Sequence, residues 1–276
     1  MPIATAAEKF ANFQTVNDKF AVALHFPASL ILPELDPAAI ALALIAFSTS
    51  TVAGVFGFGG GMLLIASLPT FLPAAALVPV HSAVQLLSNS SRAIMAWRHI
   101  QWQFVAQHTL GSILGVALAT LLVFNVSLTL IPIMIGCYIL LTTWSNAFQR
   151  LVGRFESFFL IGAIQSGLGL MVGAPGPLPM PLLLRRLDNH HQIVCTMAIF
   201  MTTGHILKII VFIGAGFAFS SYAAEIVLMG IAAIAGSLIG TRLRNKLDAK
   251  RFVWIVKVML TLLALLAIWR ALANYG

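Results

Sequence analysis

Charged residues are scarce in this sequence, and acidic ones are scarcer than basic ones. Only 9% of the residues are Asp, Glu, Lys or Arg, whereas 60% are hydrophobic and the mean hydropathy is +0.98. Soluble domains carry roughly 25% charged residues, so this chain lacks the polar surface that a protein needs in water. The composition therefore predicts an integral membrane protein with the lipid bilayer as its partner.

The sequence also lacks the groups on which several other functions depend. Its two cysteines, Cys137 and Cys195, lie in separate apolar segments, which argues against a disulfide framework and a Cys-x-x-Cys metal site. No Gly-x-x-x-x-Gly-Lys motif is present, which argues against direct driving by ATP. We expect no cofactor and no bound metal.

Carboxylates are missing from the interior of every predicted span. The eight acidic residues lie in the N-terminal tail, in loops or near span ends: Glu8, Asp18, Glu34, Asp36, Glu156, Asp188, Glu225 and Asp248. Carriers of cations commonly place Asp or Glu within the membrane. This absence counts against a cation substrate. The net charge of +8 is better explained by cytoplasmic loops than by a nucleic-acid partner.

Eight segments approach the length of about 20 apolar residues that a helical span requires. They are residues 37–56, 78–98, 104–124, 128–148, 156–172, 192–213, 222–242 and 252–272. Two further segments, 60–77 and 174–187, are short or rich in proline, and each directly follows a glycine motif. We predict an all-α membrane protein with about ten transmembrane elements, in which these two segments are broken or re-entrant helices.

The chain contains the same apolar pattern twice. Leu110-Gly-Ser-Ile-Leu-Gly115 in the first half matches Ala235-Gly-Ser-Leu-Ile-Gly240 in the second. Earlier in each half, Gly57-Phe-Gly-Gly-Gly61 has a counterpart in Gly173-Ala-Pro-Gly-Pro177. A duplicated apolar unit with an interrupted helix in each copy is typical of secondary transporters.

The charges of matching loops predict that the two repeats are inverted. The loop with Arg98 has an uncharged counterpart at 214–222, and the uncharged loop at 124–128 has a counterpart with the cations of 242–251. Five elements per repeat, an odd number, would produce this inversion. The predicted divisions are an N-terminal segment at 1–35, repeat 1 at 36–148, a cytoplasmic linker at 149–155 and repeat 2 at 156–276.

The same charges orient the chain. Because Lys and Arg concentrate in cytoplasmic loops, both termini are predicted to lie outside the cytoplasm of a multi-pass protein in a cell membrane, with the bacterial inner membrane favoured. Residues 5–26 show helical amphipathic spacing and are predicted to lie on the membrane surface. A poorly ordered tail is the alternative for that segment.

The two helix interruptions are the predicted binding region. Each Gly in the first costs a helix about 1 kcal/mol, and Pro175 and Pro177 remove N–H donors from the second. Unwound backbone in a bilayer must be buried or face water, and a half-helix that begins there presents free N–H groups and a positive dipole end. Two such ends near the midplane would attract an anion. Close helix packing through glycine is the alternative.

Polar side chains near the interruptions complete the predicted site. On the predicted span 78–98 they recur at i, i+4, i+7, i+8 and i+11, which is one helix face. These residues are His81, Gln85, Ser88, Asn89 and Arg92. The alternatives are snorkelling of Arg92 and Lys208 and bonding of hydroxyls to their own helices. The predicted substrate-binding residues are Ser50, Thr51, Gly57, Gly59, Gly60, Gly61, His81, Gln85, Ser88, Asn89, Arg92, Gln165, Ser166, Gly173, Gly176, Thr202, Thr203 and His205.

Two stretches resemble a known family. Thr51-Val-Ala-Gly-Val-Phe-Gly-Phe-Gly-Gly-Gly61 leads to Pro69, and His81-Ser-Ala-Val-Gln-Leu-Leu-Ser-Asn89 follows. This pattern is similar to the sulfite exporter TauE/SafE family over about residues 40–272. The resemblance implies a transporter for sulfur-containing or organic anions such as sulfite, sulfonates or thiosulfate. The second copy departs from the family pattern, since prolines replace its glycine-rich run.

The function that we favour is a secondary transporter, an exporter of small anions that works by alternating access at a midplane site. Coupling could run down the membrane potential or through titration of His81 or His205. A passive anion channel is the alternative, and association into a homo-oligomer is left open. We expect no enzyme, because His81 and Ser82 point to different faces and Ser88 lies beyond reach of His81 on one helix.

Overall fold

The computed structural model describes residues 37–123, 125–243 and 249–273, and its regular structure is helical throughout. The predicted surface helix at 5–26 lies outside these residues. So do Arg244 and Lys246 of the predicted cytoplasmic loop at 242–251, and Lys9 and Lys19, which the predicted orientation places outside the cytoplasm. The described residues therefore cover most of the two predicted repeats and none of the predicted N-terminal segment at 1–35.

The first half contains five helices and a short connecting one. They are α1 (Pro37–Phe56), α2 (Gly60–Ser67), α3 (Ala74–Met95), α4 (Trp102–Val123), α5 (Leu130–Trp144) and α6 (Asn146–Gly153). A 3₁₀ turn, Leu68–Thr70, extends α2, and another, Trp97–His99, follows α3. The hydroxyl of Ser145 accepts a hydrogen bond from the N–H of Phe148 and so caps the start of α6.

The second half repeats this order of long and short helices. They are α7 (Phe158–Val172), α8 (Met180–Arg186), α9 (His190–Gly214), α10 (Ala223–Leu243) and α11 (Ala249–Ala273). Ser157 caps α7, and Asn189 caps α9 by accepting from the N–H of His191 at 2.9 Å. Asn189, directly before α9, is thus the N-cap of that helix.

The helices have the length and composition of a multi-pass membrane protein. Five of them, α1, α4, α9, α10 and α11, are long and apolar enough to cross a bilayer. A sixth span results if α5 and α6, which are bent by 78° at their junction, are taken as one. Within the residues that the structure describes, helix length and composition therefore support five or six spans, and the inverted ten-element plan stays a prediction.

Large apolar side chains cover the outside of the bundle. Leu118, Leu121, Ile231, Leu262 and Trp269 are each more than half exposed. Many exposed apolar side chains of this size are unfavourable in water and suit contact with lipid tails.

The two halves contact each other reciprocally. Helix α1, the first of its half, packs along α10, the fourth of the other half, and α7 packs along α4 in the same way. The third helices, α3 and α9, contact each other, as do the fifth, α5 and α11. A pairing in which i meets j and j meets i is the pattern that a two-fold relation produces.

The repeated Gly-Ser-x-x-Gly motif brings α4 and α7 together. A Cβ atom on Gly111 would overlap the carbonyl oxygen of Phe159, and one on Gly115 would overlap that of Ala163. Small residues four apart let helix backbones approach closely. The first copy of the motif is therefore a helix-packing motif.

The second copy plays the same part between α10 and α1. A Cβ atom on Gly236 would overlap the carbonyl oxygen of Phe47, and one on Gly240 would overlap that of Thr51. The duplication seen in the sequence thus corresponds to two equivalent helix contacts. These contacts hold the interrupted helices, α1 and α7, against the opposite halves.

Replacing Gly111 by Ala tests this packing. The added methyl group would meet the carbonyl of Phe159, and overpacking of this kind costs about 1–3 kcal/mol. We expect the apparent melting temperature of the detergent-solubilised variant, measured by tryptophan fluorescence, to fall by several degrees. Gly214→Ala is the matched control, because a methyl group at this helical position meets nothing within 4 Å. Equal melting temperatures for the two variants would show that the α4–α7 contact does not need glycine.

Candidate functional site

Both glycine motifs interrupt a helix in the same manner. Helix α1 ends before Gly57 and Gly59, whose φ angles are 79° and 88°. Helix α7 ends before Gly173 and Gly176, whose φ angles are 77° and 75°. Other residues rarely adopt these left-handed conformations. Glycine is therefore needed for the chain to leave each helix.

Side chains from three helices satisfy the carbonyl groups that the second interruption exposes. The hydrogen bonds run from Lys208 Nζ to the Gly173 oxygen at 2.6 Å, from Tyr138 Oη to the Pro175 oxygen at 2.7 Å, and from Gln165 Nε2 to the Gly176 oxygen at 3.2 Å. The ammonium group of Lys208 also lies at the C-terminal end of α7, where the helix dipole favours a cation. The unwound segment is thus fixed by tertiary contacts.

The half-helix that follows the second interruption, α8, has few free backbone N–H groups at its start. Helix α8 has seven residues, and Pro179 and Pro181 bring no N–H groups to its start. The N–H of Met180 is bonded to the Pro177 oxygen, and that of Leu183 to the Pro179 oxygen, both at 2.9 Å. The second half therefore offers few backbone donors to a ligand. Its positive charge comes instead from Lys208.

A cavity of about 50 Å³ lies between the two interruptions; we call it the central cavity. A water molecule needs about 10–15 Å³ of such space, so the cavity holds a few waters or one small oxyanion. Its walls come from α1, α2, α3 and α9 and from both unwound segments. The lining residues are Ala53, Gly57, Phe58, Gly59, Gly61, Met62, His81, Gln85, Asn89, Arg92, Ala174, Pro175, Gly176, Pro177, Met197, Met201 and His205.

The polar wall of the central cavity is the predicted face of α3. Asn89 Nδ2 donates to the Gln85 carbonyl at 2.8 Å and to Gln85 Oε1 at 3.1 Å. The guanidinium group of Arg92 donates to Asn89 Oδ1. These bonds orient the three side chains along the helix towards one another.

Several buried polar atoms in this wall lack a hydrogen-bond partner among the described residues. They are His81 Nδ1, Gln85 Nε2 and His205 Nδ1. Buried polar atoms are nearly always bonded to protein or ordered water. Unpartnered polar atoms from α3 and α9 at one cavity indicate that a ligand or water completes their bonding.

The buried charge around the central cavity is positive. Arg92 is 5% exposed and Lys208 is 2% exposed, so both are buried within the bundle. Among the described residues no carboxylate is buried, and Glu156 and Asp188 are exposed. An anion would offset this buried positive charge, whereas a cation would add to it.

Gln165 and Ser166 line a smaller cavity of about 20 Å³ beside the central one. Pro175 and His205 border both cavities, and Lys208 lines the smaller one. Because Gln165 Oε1 can only accept, His108 Nε2 donates to it at 2.8 Å. The amide of Gln165 therefore links α4, α7 and the second interruption.

Two predicted residues lie in a cluster of hydroxyl groups away from the cavity wall. Ser88 Oγ donates to Ser50 Oγ at 3.1 Å and contacts Ser237 Oγ at 2.9 Å. All three side chains are buried, and they come from α3, α1 and α10. This cluster joins three helices, and Ser237 belongs to the second Gly-Ser-x-x-Gly motif.

The predicted threonines bond to their own helices. Their hydroxyl groups donate to carbonyl oxygens one turn earlier, from Thr51 to Phe47 at 2.8 Å, from Thr202 to Ala198 at 2.9 Å and from Thr203 to Ile199 at 3.1 Å. Of the predicted glycines, Gly60 packs on the Thr49 carbonyl and Gly173 on Ile65. None of these residues is among the lining residues of the central cavity.

Three residues important to the geometry were not in the predicted set: Lys208, Tyr138 and His108. Lys208 lies next to the polar face of α9, so its spacing offered a signal. Tyr138 and His108 lie on uninterrupted helices, where nothing in the local sequence indicates their distant partners. Only the tertiary contacts show them.

The chain matches the family model described as sulfite exporter TauE/SafE over residues 42–267. No curated protein and no solved structure matches it. The matched range contains both interruptions and every residue that lines the central cavity.

Ligand-induced stabilisation tests whether the central cavity binds an anion. We expect thiosulfate to raise the melting temperature of the solubilised protein above that in sodium chloride of equal ionic strength, because a ligand at 100 times its Kd adds about 2.7 kcal/mol. Gln85→Ala removes an amide at the cavity wall and should shrink this shift. Gln107→Ala, an exposed position on α4, is the matched control. An equal shift in both variants would place the anion elsewhere.

Proposed function

The chain belongs to the sulfite exporter TauE/SafE family, and on this basis we propose that it is a secondary transporter that exports small anions. The substrates are sulfur-containing or organic acids such as sulfite, sulfonates or thiosulfate. The family consists of membrane transporters of this kind of compound, which fits the multi-pass helical fold.

One observation favours an anion over a cation as the substrate. Two buried cations, Arg92 and Lys208, flank the region where both helix interruptions meet, and no carboxylate among the described residues is buried with them. A cation would add to this charge, whereas an anion offsets it. The unpartnered amide of Gln85 supplies a donor for an oxyanion.

Alternating access is supported by the reciprocal contacts between the halves. The central cavity has walls from both halves, so movement of one half against the other would open it to either side. Both interruptions contain glycines with positive φ angles, directly after the ends of α1 and α7. Hinge motion concentrates at a few residues at the ends of helices or in loops. The repeats in this mechanism are residues 36–148 and 156–276, inverted relative to each other.

The proposed orientation rests on exposed cations. Arg98, Arg150, Arg154, Arg185 and Arg186 are all exposed at helix ends or connections, as cytoplasmic loop residues are. Both termini then lie outside the cytoplasm, and the bacterial inner membrane is the proposed location. Helix α6, bent away from α5, suits a position along the membrane surface.

The proposed ligand contacts are the predicted residues that line the central cavity. They are Gly57, Gly59, Gly61, His81, Gln85, Asn89, Arg92, Gly176 and His205. Gln165 and Ser166 act from the adjoining cavity, and the remaining predicted residues hold the helices around it. This division separates contact with the anion from support of the site.

The membrane potential can drive the proposed export. Moving one charge across 100 mV is worth about 2.3 kcal/mol. When the anion moves without a co-transported ion, a negative cell interior therefore pushes a monoanion outward by about that amount and a dianion by about twice as much. No energy source within the chain is required.

Anion flux in proteoliposomes tests the substrate and the site together. We expect sulfite, thiosulfate or a sulfonate to move faster than a simple carboxylate of similar size, measured with radiolabelled or ion-selective detection. Asn89→Ala should lower the flux at least tenfold, because Asn89 orients both Gln85 and Arg92, whereas Gln103→Ala at an exposed position should not. Unchanged flux in Asn89→Ala would contradict the site.

Counterflow separates a carrier from a passive anion channel. A carrier returns with substrate bound, so unlabelled anion inside the vesicles should accelerate entry of labelled anion, and the rate should saturate with concentration. The small size of the central cavity favours this outcome. A rate that rises linearly with concentration, without acceleration by internal anion, would favour the channel.

A further inference from the structure

His81 holds a fixed tautomer in the wall of the central cavity. Its side chain is fully buried, and Nε2 lies 2.9 Å from the carbonyl oxygen of Gly61. A carbonyl oxygen only accepts, so Nε2 must carry a proton. In the neutral imidazole the other nitrogen, Nδ1, is then an acceptor with a free lone pair.

That lone pair has no donor. Nδ1 of His81 is buried and has no hydrogen-bond partner among the described residues. The ring of His205 lies edge-on to that of His81, with 5.7 Å between the centroids, and both rings line the central cavity. His81 is thus a buried base at the ligand cavity, with one nitrogen occupied and the other open to a proton.

The groups around His81 decide when it accepts that proton. On α9 they are His205 and Lys208, and on α3 Arg92. Helices α1, α2 and α7 carry no titratable side chain, and α10 carries Glu225 and Arg242 only in its first and last turns. No carboxylate among the described residues is buried beside them.

Charge balance therefore links the proton to the anion. A proton on His81 adds a positive charge next to those of Arg92 and Lys208, and a bound anion compensates it. Because linkage is reciprocal, the anion favours the proton to the same degree that the proton favours the anion. A neutral His81 offers the anion only a lone pair at Nδ1, whereas a protonated one offers a donor.

We propose that His81 is the proton-coupling residue of this transporter, so that each anion moves together with one proton. A monoanion then crosses without net charge, and a dianion crosses with one net negative charge, which the membrane potential still drives outward. The proton enters from water on the loading side, forms a bond to Nδ1, and leaves with the anion on the other side; no other covalent bond changes. His81 rather than His205 has this role, because the His81 ring is fixed by a backbone carbonyl in the first turn of α2, the half-helix that follows the first interruption. This inference rests on the proposed anion transport.

Thiosulfate and ethanesulfonate are suitable probes, because neither binds a proton near neutral pH, whereas sulfite does. Proteoliposomes are held at zero membrane potential with potassium and valinomycin, and a gradient of one pH unit, acidic outside, is imposed. We expect wild type to accumulate the anion about tenfold, the value for one proton per anion. A pH dye inside the vesicles should acidify in step with anion entry.

His81→Gln separates coupling from binding. Its amide can still donate to the Gly61 carbonyl, but it takes up no proton at neutral pH. We expect counterflow to persist while accumulation by the pH gradient falls from about tenfold to none. In the solubilised protein, thiosulfate affinity should lose its dependence on pH. His99→Gln, at an exposed position, is the matched control and should behave as wild type.

These experiments distinguish failure of the proposed transport function from failure of the proton-coupling role of His81. Wild type that shows no counterflow with either probe contradicts the proposed function, whereas counterflow without accumulation or acidification contradicts only the coupling. Accumulation by His81→Gln, or its loss in His205→Gln alone, overturns the role of His81, as does a folded His81→Gln protein that binds no anion. If His81→Gln fails to fold, a pH-independent affinity of wild type for thiosulfate overturns it.

Discussion

The need to satisfy backbone polar groups away from water governs this structure. Two helices stop in the interior of an apolar bundle, and their unwound segments require hydrogen-bond partners that lipid cannot supply. Lys208, Tyr138 and Gln165 donate to carbonyls of the second segment, and His81 donates to the Gly61 carbonyl in the first turn of α2, directly after the first segment. The side chains that meet this need belong to four helices, so the same bonds that stabilise the interruptions also assemble the walls of the central cavity.

Helix packing stabilises the bundle around the central cavity, whereas buried positive charge destabilises it. The glycines of the two Gly-Ser-x-x-Gly motifs bring α4 to α7 and α10 to α1, which keeps the bundle tight around the interruptions. Arg92 and Lys208 place positive charge within it without a buried carboxylate among the described residues. The anion that we propose as substrate would offset this positive charge, and this connects the fold of a TauE/SafE family member to transport.

Much of the helical plan could be predicted, because bilayer thickness and hydropathy act over a whole segment. The predicted span 37–56 coincides with α1, and 104–124 differs from α4 by a residue or two at each end. The helical repeat also placed His81, Gln85, Asn89 and Arg92 on one face, and all four line the cavity. Ser88 belongs to the same face but bonds to Ser50 and Ser237, because the neighbouring helix covers that part of it.

The amino-acid sequence alone determined that the chain is an all-helical membrane protein, that it is duplicated, and that each copy contains an interruption, since these follow from composition and from residues close together in the chain. Only the tertiary structure decided which polar groups line the central cavity and which hold helices together. That choice depends on contacts between residues far apart in sequence, such as Tyr138 with Pro175 and Lys208 with Gly173. Local propensity carries no information about such partners, because they meet only when the two halves pack.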